Sequence, residues 1–427
     1  MTKVKAFRAL RPVSGFAGQI AALPYDVMSS EEARIMVRDK PLSFLHIDKA
    51  EIDLDPSIDI YDDAVYEKAK TNLQQLRASG KMQKDEKECY YIYQLTMNGR
   101  IQTGIVACPA VDDYLNGTIK KHELTRADKE TDRIRHVDTL DANAGPIFLA
   151  HRPDAALSAI TKEWMAKNEV IFSFTAGGVK HEGWLIDKPG TITQIASCFE
   201  RIPSLYIADG HHRCASAVRV AQKRREANPG CTGNEEFNFF LAVIFPSDEL
   251  NIFDYNRVVK DLNGLSESEF LEKVRLSFDI ESSSSTVKPS AKHEFGLLIK
   301  GAALEKAALE KAASRKAWYR LKAKKGTWDE NDPVGRLDVS ILQNHLLSPI
   351  LGIDDPRTNK RIDFVGGIRG LDELEKRVNT DMAVAFSMYP TALDDLMDIA
   401  DAGKIMPPKS TWFEPKLLSG LFIHDLT

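Results

Sequence analysis

The chain lacks long apolar runs and paired cysteines. No stretch approaches the roughly 20 residues a membrane helix needs, and Met1-Thr2-Lys3-Val4-Lys5-Ala6-Phe7 has no apolar core of the signal-peptide kind. A cytoplasmic protein with no membrane partner is therefore expected. The five cysteines (Cys89, Cys108, Cys198, Cys214, Cys231) are scattered, odd in number and without a Cys-x-x-Cys pair, which argues against a disulfide framework and a structural zinc cluster. Charge is nearly balanced, 57 Lys and Arg against 62 Asp and Glu, so the global basic field that draws proteins to nucleic acid is missing. Two phosphate fingerprints are absent as well. Phe364-Val365-Gly366-Gly367-Ile368-Arg369-Gly370 is glycine-dense, but it fits neither a P-loop nor the dinucleotide pattern, and reads as a tight strand turn.

What remains is an ordinary globular composition, 43% hydrophobic and 28% charged, over 427 residues, long enough for two or three domains. The pattern predicts a mixed α/β protein in three segments. Residues 1–115 read as an α/β module, with a helix start at Ser29-Ser30-Glu31-Glu32, an amphipathic helix over 61–78, and a hairpin turning at Asn98-Gly99. Residues 116–260 form a core segment. It opens with a charged run to His136, whose plain reading is a solvated helix face. Strands are expected at 204–208 and 237–245 with a helix over 211–227 between them, an order that implies a crossover unit. Residues 261–427 carry strands at 295–299 and 318–323, helices near 336–351, 371–379 and 393–403, and a rigid polar loop at 406–416. An Ala-Ala-Leu-Glu-Lys tract at 302–313 reads as a helix-forming spacer.

The chemistry concentrates in Asp209-Gly210-His211-His212-Arg213, placed between an apolar strand and a helix. Free N–H groups at a helix start, a glycine permitting close backbone approach, two imidazoles and a guanidinium together suit a phosphate. An Asp N-cap beside packed histidines is the plainer alternative. His211 and His212 are not expected to share a metal ion, since adjacent helical side chains diverge by about 100°. Cys214 reads as a small packing residue. Asp26, after the Pro24-Tyr25 turn, and Asn256-Arg257 are secondary candidates, each more often structural.

The string Tyr206-Ile207-Ala208-Asp209-Gly210-His211-His212-Arg213 resembles the Asp-Gly-His-His-Arg signature of free serine kinases in the ParB/sulfiredoxin-like superfamily. The chain is identified as a member of the family known as domain of unknown function 1015. Two further segments resemble the kinase pattern in the same order: Lys121-His122-Glu123, and Pro408-Lys409-Ser410-Thr411. The resemblance implies a ParB-like core with an N-terminal α/β module and a C-terminal helical extension. It implies Glu123 as general base, Asp209 as its helper, Gly210, His211, His212 and Arg213 at the phosphate, and Lys409, Ser410 and Thr411 at substrate or phosphate. Implied cofactors are Mg²⁺ with ADP or ATP, and the implied reaction is phosphate transfer between a nucleotide and serine or O-phosphoserine. A phosphoserine phosphatase is a close variant. A nucleotide-responsive binding protein of the ParB kind is the alternative from another class, weakened by the lack of a basic helix-turn-helix.

Overall fold

The computed structural model describes residues 1–300 and 317–427, so the tract at 302–313 lies outside the described residues. The chain forms two compact units, 1–250 joined by 415–427, and 251–414. Three consecutive segments had been expected. The first boundary, at 115, disappears because strands from both sides of it hydrogen-bond into one sheet, and sheet pairing overrides sequence proximity.

The strands of that sheet are β1 (Val4–Lys5), β2 (Tyr90–Met97), β3 (Arg100–Pro109), β4 (Ile119–Lys120), β5 (Ile147–His151), β6 (Phe172–Ala176), β7 (Val179–Ile186), β8 (Leu205–Asp209) and β9 (Ala242–Pro246). Their order is β4-β8-β5-β9-β3-β2-β7-β6, with β1 paired to β3. The β2–β3 hairpin turns where expected: Asn98 and Gly99 both have positive φ, 52° and 78°, as a tight two-residue turn requires. The crossover expected between β8 and β9 is different. β5 lies between them, parallel to β9 and antiparallel to β8, and Glu236–Asn238 is a 3-10 turn rather than the start of a strand.

The longer helices of this unit are α1 (Ser30–Val37), α2 (Asp63–Ala78), α3 (Ala127–Leu140), α4 (Ala155–Lys167), α5 (Pro189–Arg201) and α6 (His211–Ala227). α1 begins with the capping box read from the sequence, Ser29 and Glu32 each satisfying the other's backbone N–H. Alternate strand residues Ile147, Leu149, Leu205, Ile207, Ala242 and Ile244 meet Leu157, Trp164, Phe199, Cys214, Val218 and Ala221 from α4, α5 and α6 in one core. Cys214 is a packing residue there, its thiol pushed up by burial. The charged run is not wholly solvated. α3 turns Asp132, Arg133 and His136 inward, and ion pairs Arg219–Glu130 and Arg224–Asp138 tie it to α6.

The second unit is built on β10 (Tyr255–Val259), β11 (Phe278–Ser283), β12 (Glu294–Ile299), β13 (Ala317–Ala323), β14 (Ile362–Gly366) and β15 (Val384–Ser387), in the order β11-β13-β12-β15-β10-β14. Helices Leu371–Thr380 and Leu393–Asp401 fall where the pattern predicts them. The helix expected over 336–351 is shorter, Asp338–Leu342, and loosens into a π turn at Gln343–Leu347. The 406–416 loop has no helix, and its Trp412–Phe413 pairs with Ile252–Phe253.

Candidate functional site

β4 and β8 run parallel, Ile119 opposite Leu205 and Lys120 opposite Tyr206. Their C-terminal ends therefore deliver Lys121-His122-Glu123 beside Asp209-Gly210-His211, although Glu123 and Asp209 stand 86 residues apart in the chain. Sites in α/β sheets commonly form at such strand ends. The pairing of β8 with β5 shifts register between Ile207 and Asp209, a bulge that re-aims the last residue of the strand.

Gly210 opens α6 in the left-handed region, φ 88°. That conformation favours glycine, and a Cβ here would also press on the Arg213 guanidinium at 3.2 Å. The α6 ladder begins with the Cys214 N–H donating to the Gly210 carbonyl at 2.9 Å. The N–H groups of residues 211–213, one step earlier, have no acceptor within the helix.

Asp209 accepts from its neighbour's backbone, Gly210 N–H to Oδ1 at 2.9 Å, and its Oδ2 lies 3.2 Å from Lys416 Nζ and 4.0 Å from Arg213 Nη2. Burial raises the carboxyl's pKa. Lys416, Arg213 and the Gly210 N–H outweigh that and hold it well below the usual carboxylate range. Asp209 is thus a fixed anion that organises the two cations. Arg213 is more internal than its expected phosphate role suggests: Nη1 donates to the Pro146 carbonyl and Nε is buried without a partner. It borders a cavity of about 30 Å³ shared with Tyr25, Asp48, Arg133 and Ser419. The Arg133 guanidinium lies 4.0 Å from the Tyr25 ring centre, and Asp26, on the same 3-10 turn, favours the charged form of Arg213.

The histidines form the other half. His122 and His211 meet edge to face, ring centres 4.5 Å apart, with 2% and 7% of their surfaces exposed. Burial pushes His211 down to about 4, against the pull of Asp209 and with the help of His212 and Lys121, so the ring is neutral at neutral pH. His122 is pushed well below its ordinary value by burial and by His211, with Asp209 and the Ile207 carbonyl acting weakly the other way. His212 is lowered by burial too. Half-exposed Glu123 brings Oε2 to 4.0 Å from His211 Nδ1. The ligand atoms of His122, Glu123 and His211 all lie within 4.8 Å of one another.

Lys409, Ser410 and Thr411 belong to the second unit. Ser410 Oγ donates to the Pro407 carbonyl at 2.6 Å, and Lys409, at φ 57°, accepts from Arg257 Nη2 through its carbonyl at 3.0 Å. Asn256 is structural, bonded to Asp254 and to the Met388 N–H. Two residues of the first-unit site escaped the sequence reading. Lys416 closes the 406–416 loop, where the kinase-like segment at 408–411 drew attention instead. His122 sat inside a quoted segment but carried no role, because a lone histidine in a charged run gives no sign that its ring is buried.

A family model described as Protein of unknown function (DUF1015) matches residues 4–340, and the chain belongs to that family. No curated protein matches it. Among solved structures, it is similar to a free serine kinase in complex with AMP, at 14% identity over 73% of this chain and 86% of that one, TM-score 0.34. It is also similar to a conserved hypothetical protein from Pyrococcus furiosus, at 13% identity over 75% and 94%, TM-score 0.32. These likenesses are slight in both sequence and shape. Among the described residues no helix is long and apolar enough to cross a membrane.

Proposed function

We propose that the first unit is a phosphotransferase site acting on a small hydroxy amino acid, serine or O-phosphoserine, with ADP or ATP as the phosphate partner. The observation that carries this reading is the 4.0 Å approach of Glu123 Oε2 to His211 Nδ1, which joins a carboxylate to a helix start bearing unused N–H groups. Phosphoryl transfer needs an oriented hydroxyl, an acceptor for its proton, and donors over the phosphoryl oxygens. Glu123 takes the proton. Asp209 is the poorer base, because Lys416 and Arg213 stabilise its charged form. Its role is to hold Lys416 and the Gly210 turn in place. The N–H groups of residues 211–213 and the neutral imidazoles of His211 and His212 are the donors for phosphate. The substrate class, the nucleotide and the ParB/sulfiredoxin-like ancestry rest on the motif resemblance. Mg²⁺ held by protein wants an octahedron of oxygens. With Asp209 engaged by Lys416 and ring nitrogens flanking Glu123, this turn fits it poorly.

The test is to incubate the protein with Mg²⁺, ADP or ATP, and serine or phosphoserine, and to follow phosphorus by NMR. Glu123→Gln should keep nucleotide affinity and lower turnover by about 10²- to 10⁴-fold, the range for loss of a general base. Absence of transfer in the wild type, or full turnover in the variant, overturns the proposal. Phosphoserine hydrolysis without nucleotide would convert it to a phosphatase.

A further inference from the structure

Buried ring nitrogens without partners are uncommon in folded proteins, where nearly every enclosed polar atom finds one. Here both ring nitrogens of His122 and Nε2 of His211 are buried and make no hydrogen bond of ordinary length and angle, the Ile207 carbonyl acting on His122 only from outside that geometry. These two rings meet at right angles, 4.5 Å apart, beside a carboxylate. No phosphate would relieve His122, since only 2% of its surface is exposed.

We infer that His122, Glu123 and His211 form a binding site for a borderline divalent cation of the Zn²⁺ class. Two imidazoles and one carboxylate are a donor set that Zn²⁺ accepts in sites keeping a fourth position open for water or substrate. With bonds of about 2.1 Å, tetrahedral ligands stand roughly 3.4 Å apart. The present spacings, 4.0 Å between His211 Nδ1 and Glu123 Oε2 and at most 4.8 Å within the set, exceed that by at most about 1.4 Å, within reach of small rotations of the three side chains. The histidines are placed by the fold: His122 by the β4 strand end, His211 by the first turn of α6. Asp209 nearby favours a cation, while Lys121 opposes it. The set differs from the histidine pair weighed in the sequence, because its members come from the end of β4 and the start of α6 rather than from neighbouring positions of one helix. The site does not rest on the phosphotransfer reading. Where both hold, the cation and the proton compete for Glu123.

The experiment uses the full chain, stripped with chelator and titrated with Co²⁺ and then Zn²⁺. One equivalent of Co²⁺ should give the visible absorption of four-coordinate nitrogen and oxygen ligation, without a thiolate charge-transfer band, and Zn²⁺ should displace it. His122→Gln and His211→Gln should each weaken binding by about 100-fold or more, since even outer-shell changes cost 10- to 100-fold. Glu123→Gln, at a half-exposed position that tolerates the change, should weaken binding while leaving the fold intact, and it decides the matter if a histidine variant does not fold. A spectrum no different from aqueous Co²⁺, or affinity unchanged in Glu123→Gln, overturns the inference. Zn²⁺ binding without phosphate transfer leaves this site standing and removes the proposed function; transfer without Zn²⁺ binding does the reverse.

Discussion

Lys416 and Asp209 offer the sharpest test of how the site is held together. Their charged atoms are 3.2 Å apart, the lysine side chain 12% exposed and the aspartate 32%. At an effective dielectric of 20, that separation gives a gross attraction of about 5 kcal/mol. Desolvation of the lysine, the entropy of fixing its long stem, and solvent screening at the aspartate oppose it, leaving a coupling of about 1–3 kcal/mol. Single variants would mislead, because Lys416→Met also strands an anion and Asp209→Asn also loosens Arg213 and Gly210. A double-mutant cycle of Lys416→Met, Asp209→Asn and the pair isolates the shared contribution. Urea denaturation at pH 7, read by circular dichroism, supplies the four stabilities. A coupling within 0.5 kcal/mol of zero would show that the two groups do not depend on each other, and that Asp209 does not organise this turn; the 0.5 threshold is roughly the additivity error of such cycles.

Two further predictions concern pH. His181 is 2% exposed, bonded at Nδ1 to the Tyr93 hydroxyl at 2.7 Å, and lowered by burial to about 4. The unfolded chain binds this proton first, so stability is fully present above pH 6.5 and falls as pH drops toward 4, by at most about 3 kcal/mol for this ring. His181→Phe should flatten the fall between pH 6.5 and 4, and superimposable slopes would refute the assignment. In the second unit, burial pushes Asp338 up to about 7 against the pull of the His293 N–H and Lys292, and its Oδ2 has no partner. Here the folded state keeps the proton longer, so the group costs stability progressively as pH rises from about 4 to 7. Asp338→Asn should therefore gain stability relative to wild type above pH 7 and show no gain near pH 4; an equal effect at both would mean the carboxylate is not the cause.

Local chemistry was legible in the sequence. Ser29 and Glu32 specify a helix start and Asn98-Gly99 a tight turn, because each depends on neighbours a few positions away, whereas the left-handed φ of Gly210 came only with the structure. The order strand, polar turn, helix around Asp209 was equally plain, as was the helix over 211–227. Which strand lies beside β8 was not. The parallel partner is the two-residue β4, too short to leave a periodic signal, and only its register sets Glu123 next to His211. Burial was hidden for the same reason: Arg133 and His136 sit in a run that reads as solvated, until α3 packs against α6 and turns that face inward. The sequence by itself determined the residue types at the site and the turn that presents them. Tertiary structure decided which of them meet, because strand pairing closes 86 residues of chain and returns Lys416 from the far end to Asp209, distances over which no local preference acts.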